Sequence, residues 1–125
     1  METPQPLPSL NLPSSGEVVQ VFAIDNGARI NLRTNFLLLP DVGGQEYIHF
    51  PSYVFLVQHP SGRKVLFDLG IRKDWESAAP SVMRQIMGSK SEITSPENII
   101  DVLKRHGIQG QEIEAVIWSH FHFDQ

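Results

Sequence analysis

The chain contains no cysteine, which excludes a disulfide framework and thiolate ligands, so any metal it holds must sit on nitrogen and oxygen donors of the kind that suit zinc, manganese or iron. No apolar run approaches the roughly 18 residues that a membrane span requires, and Met1 to Pro13 lacks the basic start and apolar centre of a secretory leader. A cytoplasmic location is the default expectation. Basic residues are in deficit, 10 against 14 acidic for a net charge of −4. That balance leaves no electrostatic footprint for nucleic acid or for an anionic membrane surface, and neither partner is expected. A phosphate cradle is absent too: Gly43-Gly44 lacks the following helix start and lysine that would make it one.

What is present fits one domain, because 125 residues can bury a core but not two. Residues 1–16 hold Pro4, Pro6, Pro8 and Pro13 among small polar residues and are expected to form a flexible tail. The domain then runs over 17–125. Val18 to Ile24 is β-rich, and Asp25-Asn26-Gly27 reads as the turn of a hairpin whose return strand lies near Ala28 to Arg33. Phe36 to Leu39 is a short apolar run closed by the loop signals Pro40-Asp41 and Gly43-Gly44. Ser52 to Gln58 predicts a strand buried on both faces, turned by Pro60-Ser61-Gly62 into a second hairpin with Lys64 to Asp68. Between Asp74 and Met87 apolar residues recur at helical spacing around Pro80, which predicts one broken helix or two short ones. A further helix is expected to start at Ser95 as N-cap with Pro96 in first position, and to end at Arg105-His106 with Gly107 as its stop.

Chemistry concentrates at the far end. After the apolar run Ala115-Val116-Ile117-Trp118, read as a buried strand, come Ser119-His120-Phe121-His122-Phe123-Asp124-Gln125. His120, His122 and Asp124 alternate, so they form a candidate ligand set for a divalent metal. For a bare His-x-His, an amphipathic strand end with polar residues facing water would be the better explanation. Here the carboxylate in step and the wholly apolar lead-in favour ligands. Asp68 ends the strand Lys64 to Asp68, and a strand-helix-strand crossover would bring it beside the motif. Two readings of Asp68 stand side by side: it caps its own turn, or it orients a ligand imidazole through the other ring nitrogen. His49, His59 and His106 sit in turns or at a helix end, where local structure explains them.

The run Val116 to Asp124, together with Tyr53-Val54-Phe55-Leu56-Val57 before His59-Pro60-Ser61-Gly62 and then Phe67-Asp68-Leu69-Gly70, resembles the metallo-beta-lactamase superfamily. Its signature is His-x-His-x-Asp-His at the end of an apolar strand. The branch most like it contains the N-acyl homoserine lactone lactonases. The resemblance covers about Val18 to Asp124 and implies an α+β, αββα architecture. Of this the chain would be the N-terminal half, a mixed sheet with helices on one face. It also implies one or two zinc ions, with His120 and His122 on the first, Asp124 on the second and moving a proton to the leaving group, and Asp68 behind them. The implied reaction is hydrolysis of a small-molecule lactone, thioester or related carbonyl substrate by metal-activated water. Gln125 stands where the family has a metal-binding histidine, and the ligands of the family's second half have no counterpart. The expectation is therefore a truncated domain, inactive alone or serving as a binding fragment, that self-associates through an uncovered sheet.

Overall fold

A computed structural model of the chain describes residue 14, residues 16–38 and residues 44–124. The expected proline-rich tail, the Pro40-Asp41 loop signal and Gln125 lie outside the described residues or at their margin. Five strands, β1 (Gln20–Arg33), β2 (Tyr47–Gln58), β3 (Lys64–Phe67), β4 (Glu92–Thr94) and β5 (Ile113–Ile117), form one sheet in the order β4-β1-β2-β3-β5. Neighbours run antiparallel except β3 and β5, which are parallel. Among the described residues three α-helices accompany them: a single turn α1 (Thr34–Leu37), α2 (Pro80–Ser89) and α3 (Ile99–Arg105). This is the mixed sheet that the sequence implied. No helix among the described residues is long and apolar enough to cross a membrane.

The core lies between α3 and one face of the sheet, where Ile24, Val54, Leu56 and Leu66 meet Ile99, Val102 and Leu103. Burial of side chains of this size contributes about 1.5–3 kcal/mol each. The hairpin of β2 and β3 forms as expected, with Gly62 at φ 89° and its amide donating to the His59 carbonyl at 2.9 Å. Pro80 again acts as expected. A 3₁₀ turn over Trp75–Ser77 stops before it, and Pro80 itself opens α2 in the first turn, where its missing N–H costs nothing.

Four expectations need correction. Asp25-Asn26-Gly27 does not turn a hairpin: β1 runs on from Gln20 to Arg33 along the same strand, β2, on both sides of an irregularity between Asp25 and Arg29, with β4 on its other edge. Across it Asp25 pairs with Tyr53 and Arg29 with Pro51, so Asn26, Gly27 and Ala28 all stand opposite Ser52. Turn-type residues serve a bulge as readily as a hairpin, because both need a positive φ, here 78° at Gly27. What decides between them is the buried Asn26 amide, which donates to the carbonyls of Ile71 (3.2 Å) and Glu97 (2.8 Å).

The second correction concerns α3, which begins one turn later than expected, after Asn98. Ser95 instead donates its hydroxyl to the Ile71 carbonyl at 2.7 Å. Third, β2 is buried on one face only. Val54 and Leu56 are covered, whereas Tyr53 and Phe55 are exposed, and Phe67, paired with Phe55, and Ile117, paired with Phe67, are exposed with them. The fourth is β5, expected to be a buried strand: it is the exposed edge of the sheet, with Ile117 51% and Trp118 62% accessible. Its apolar composition records a face that these residues leave open. The three-residue edge strand β4 had no periodicity to betray it.

Candidate metal centre

The site is assembled where β3 and β5 end side by side. Beyond Phe67 the pairing continues for one more bond, from the Asp68 amide to the Ile117 carbonyl at 2.8 Å. Asp68 then turns into the left-handed region at φ 66°, a conformation that Asp tolerates better than most residues. Its side chain is buried, and Oδ1 accepts the Ser119 amide at 2.8 Å. The next residues pass closely over β2. At Gly70, φ 68°, a Cβ would stand 3.1 Å from Val54 Cγ2, so glycine answers both the conformation and the space. Ile71, 1% exposed, closes the loop, and its carbonyl receives both Asn26 and Ser95.

The motif leaves β5 as a tight turn and not as an extended strand. The His122 amide donates to the His120 carbonyl at 3.2 Å, an i to i+2 closure of the γ-turn kind. Phe121, the residue enclosed, is 93% exposed, while the two imidazoles are drawn together. His120 Nε2 lies 2.8 Å from His122 Nδ1, and the rings meet edge to face with centroids 4.5 Å apart. His120 Nδ1 is in turn 2.8 Å from the Ser119 hydroxyl. Ser52, buried on β2, donates to the Asp124 carbonyl at 3.2 Å and ties the end of the turn to the sheet.

Two nitrogens on one tetrahedral zinc, each about 2.0–2.1 Å from the ion, stand about 3.3 Å apart. The observed pair is therefore within about half an ångström of the separation zinc requires, and the donor types fit. The fit is partial. No group of three or more metal-binding side chains gathers among the described residues, so Asp124 does not close a site with the two imidazoles. Asp68 reaches the motif through the Ser119 backbone. The remaining histidines are engaged elsewhere or stand apart: His49 with Asn31, His59 with Glu17 and Ser61, and His106 at the end of α3. Sequence reasoning missed Ser119 and Ser52, since a hydroxyl carries no spacing signal of its own.

A profile described as the metallo-beta-lactamase superfamily matches residues 47–125. The chain belongs to the metallo-beta-lactamase superfamily. It is 44% identical, over 94% of its length, to a protein named cytochrome P450 monooxygenase mpaDE' from Penicillium brevicompactum, of which it covers 14%. It is 39% identical, over 98% of its length, to the metallo-hydrolase mfmC of Annulohypoxylon moriforme, of which it covers 33%. Among solved structures, an N-acyl homoserine lactone hydrolase with its product at the catalytic metal centre superposes with a TM-score of 0.62 at 20% identity. That match covers 84% of this chain and 42% of the other, and it establishes a shared fold. The chain thus spans a third or less of the two relatives named.

Proposed function

We propose that the chain is a segment of a metal-dependent hydrolase acting on a lactone, thioester or related carbonyl substrate. In this reading His120 and His122 hold one zinc ion and Asp124 serves a second. A bound ion supplies Lewis-acid activation of water and carbonyl. In the same reading the Asp124 carboxylate would pass a proton to the leaving group. The observation that carries the reading is the convergence of His120 Nε2 on His122 Nδ1. The name cytochrome P450 is not carried over, because the chain covers only 14% of that relative and these 125 residues hold no cysteine thiolate for such a haem.

Two imidazoles fall short of the three protein ligands that catalytic zinc usually takes. The 125 residues alone are accordingly expected to bind zinc weakly and to turn nothing over. The second reading, a non-catalytic binding fragment, is favoured by the open sheet face formed by Val21, Tyr53, Phe55, Phe67 and Ile117. Zinc titration of the purified chain, followed by calorimetry and paired with lactone and thioester assays, separates the two. Weak binding lost in His122→Ala supports the hydrolase segment, and binding unchanged by that substitution would sink it.

A further inference from the structure

The His120 ring has two contacts, and together they leave its proton two possible places, Nδ1 or Nε2. For Nε2 to face a metal its lone pair must be free of hydrogen, which in a neutral imidazole places the proton on Nδ1. Nδ1 points at the Ser119 hydroxyl, 2.8 Å away. Ser119 does not depend on chance for its place, because its amide is held by Asp68 Oδ1 at 2.8 Å, and Asp68 is buried at the end of β3. A rigid strand end therefore holds a serine, and the serine touches the imidazole on the side opposite His122.

We propose that Ser119 is a positioning residue for His120. Its hydroxyl accepts the Nδ1 proton, keeps the ring in the tautomer that offers Nε2 toward His122 and an incoming metal, and transmits the anchorage of Asp68. The proposal rests on the metal-site reading given above. The protons balance. With His120 protonated on Nδ1, the 2.8 Å contact between the rings is a bond from His122 Nδ1–H to His120 Nε2. Metal entry then requires a change in His122 and none in His120: His122 gives its Nδ1 proton to solvent and takes one on Nε2, leaving both facing nitrogens as lone-pair donors. In the opposite arrangement Ser119 donates to Nδ1 and His120 carries its proton on Nε2, so His120 would have to change tautomer before it could bind. Asp68 thus acts on the imidazole at one remove, through Ser119.

Long-range proton–nitrogen correlation spectra of the ¹⁵N-labelled, metal-free chain report the tautomer directly. His120 is expected in the Nδ1–H form, shifting toward Nε2–H in Ser119→Ala and restored in Ser119→Thr, which keeps the hydroxyl. Zinc affinity should fall roughly tenfold in Ser119→Ala, the low end of what loss of an orienting partner costs, and recover in Ser119→Thr. Amide spectra confirm that each variant is folded. An Nε2–H tautomer in the unsubstituted chain, or the same tautomer and affinity in Ser119→Ala, overturns the proposal. Absence of zinc binding in every form would instead overturn the metal-site reading, and the tautomer measurement would still decide the role of Ser119.

Discussion

Replacement of Asn26 tests what holds the site's foundation in place. The amide is 1% exposed and makes three bonds: donations to the Ile71 carbonyl (3.2 Å) and the Glu97 carbonyl (2.8 Å), and acceptance of the Ala28 amide (3.2 Å). Ile71 keeps the Ser95 hydroxyl if Asn26 is lost. The Glu97 carbonyl and the Ala28 amide lose the bonds Asn26 makes to them, and stranding a buried polar group costs about 1–3 kcal/mol. Asn26→Ala should therefore destabilise by about 2–4 kcal/mol. Asn26→Asp separates hydrogen bonding from space filling, because it is nearly isosteric yet turns both donors into acceptors facing carbonyls. It should cost at least as much as alanine at pH 7. It should also regain stability relative to Asn26→Ala as pH falls, since burial raises the folded-state pKa of the introduced carboxyl and its charged form is the one disfavoured. Urea unfolding followed by Trp75 and Trp118 fluorescence measures this. At about 1.5 kcal/mol per molar, a loss of 3 kcal/mol moves the midpoint by roughly 2 M. An Asn26→Asp midpoint within about 0.3 M of the unsubstituted chain would refute the reasoning.

Other expectations follow from particular contacts. Asp68→Asn should cost under about 1 kcal/mol, because asparagine accepts the left-handed φ and can still receive the Ser119 amide. Asp68→Ala loses both and should cost about 2–3 kcal/mol by the same unfolding assay. Arginine partners lower the carboxyl pKa of Asp25, Asp74, Glu97 and Glu114, and the Gln109 amide with Lys64 lowers that of Glu112. A lowered folded pKa gives stability that is present above the unfolded value and lost as pH falls through the folded one. Melting temperature should therefore hold from pH 7 to about 5 and drop below about pH 4. These pairs are exposed, so added salt should flatten the drop. Phe55→Lys with Phe67→Glu, a cross-strand pair on the open face, should abolish the concentration-dependent association expected of the unsubstituted chain at micromolar levels. Light scattering that finds the unsubstituted chain monomeric throughout would count against an adhesive face.

Local patterns were legible where they are settled locally. The β2–β3 hairpin follows from Pro60-Ser61-Gly62 between two apolar runs, and α2 begins at Pro80 because proline is tolerated there. The parallel pairing of β3 with β5 followed from the strand-helix-strand order. Asp25-Asn26-Gly27 was not legible, since the same residues make a hairpin turn or a bulge. The choice lies with carbonyls 45 and 71 positions away. Ser95 was misread for the same reason: a serine before a proline reads as an N-cap, whereas here its hydroxyl donates to the Ile71 carbonyl, 24 positions away, and α3 starts only after Asn98. At the site, the His-x-His-x-Asp spacing announced the two imidazoles, but the tight turn that joins them and the serine behind them are consequences of the Asp68 anchor.

The open sheet face and the shortage of ligands are neighbours in space. Ile117 lies two residues before Ser119, and Tyr53 adjoins Ser52, whose hydroxyl holds the Asp124 carbonyl. Whatever covers Tyr53, Phe55, Phe67 and Ile117 therefore packs beside the His120–Asp124 turn and restrains it, which lowers the ordering entropy that metal binding must overcome. Covering and metal binding should then be coupled, and coupling between two binding events is reciprocal. If the cover is a second copy of the chain, zinc affinity should rise with protein concentration, and zinc should strengthen association by the same factor. Titrations at several protein concentrations, read beside sedimentation, measure both halves of the cycle. A zinc affinity that stays constant while the oligomer forms would separate the face from the site and leave the two imidazoles to bind on their own.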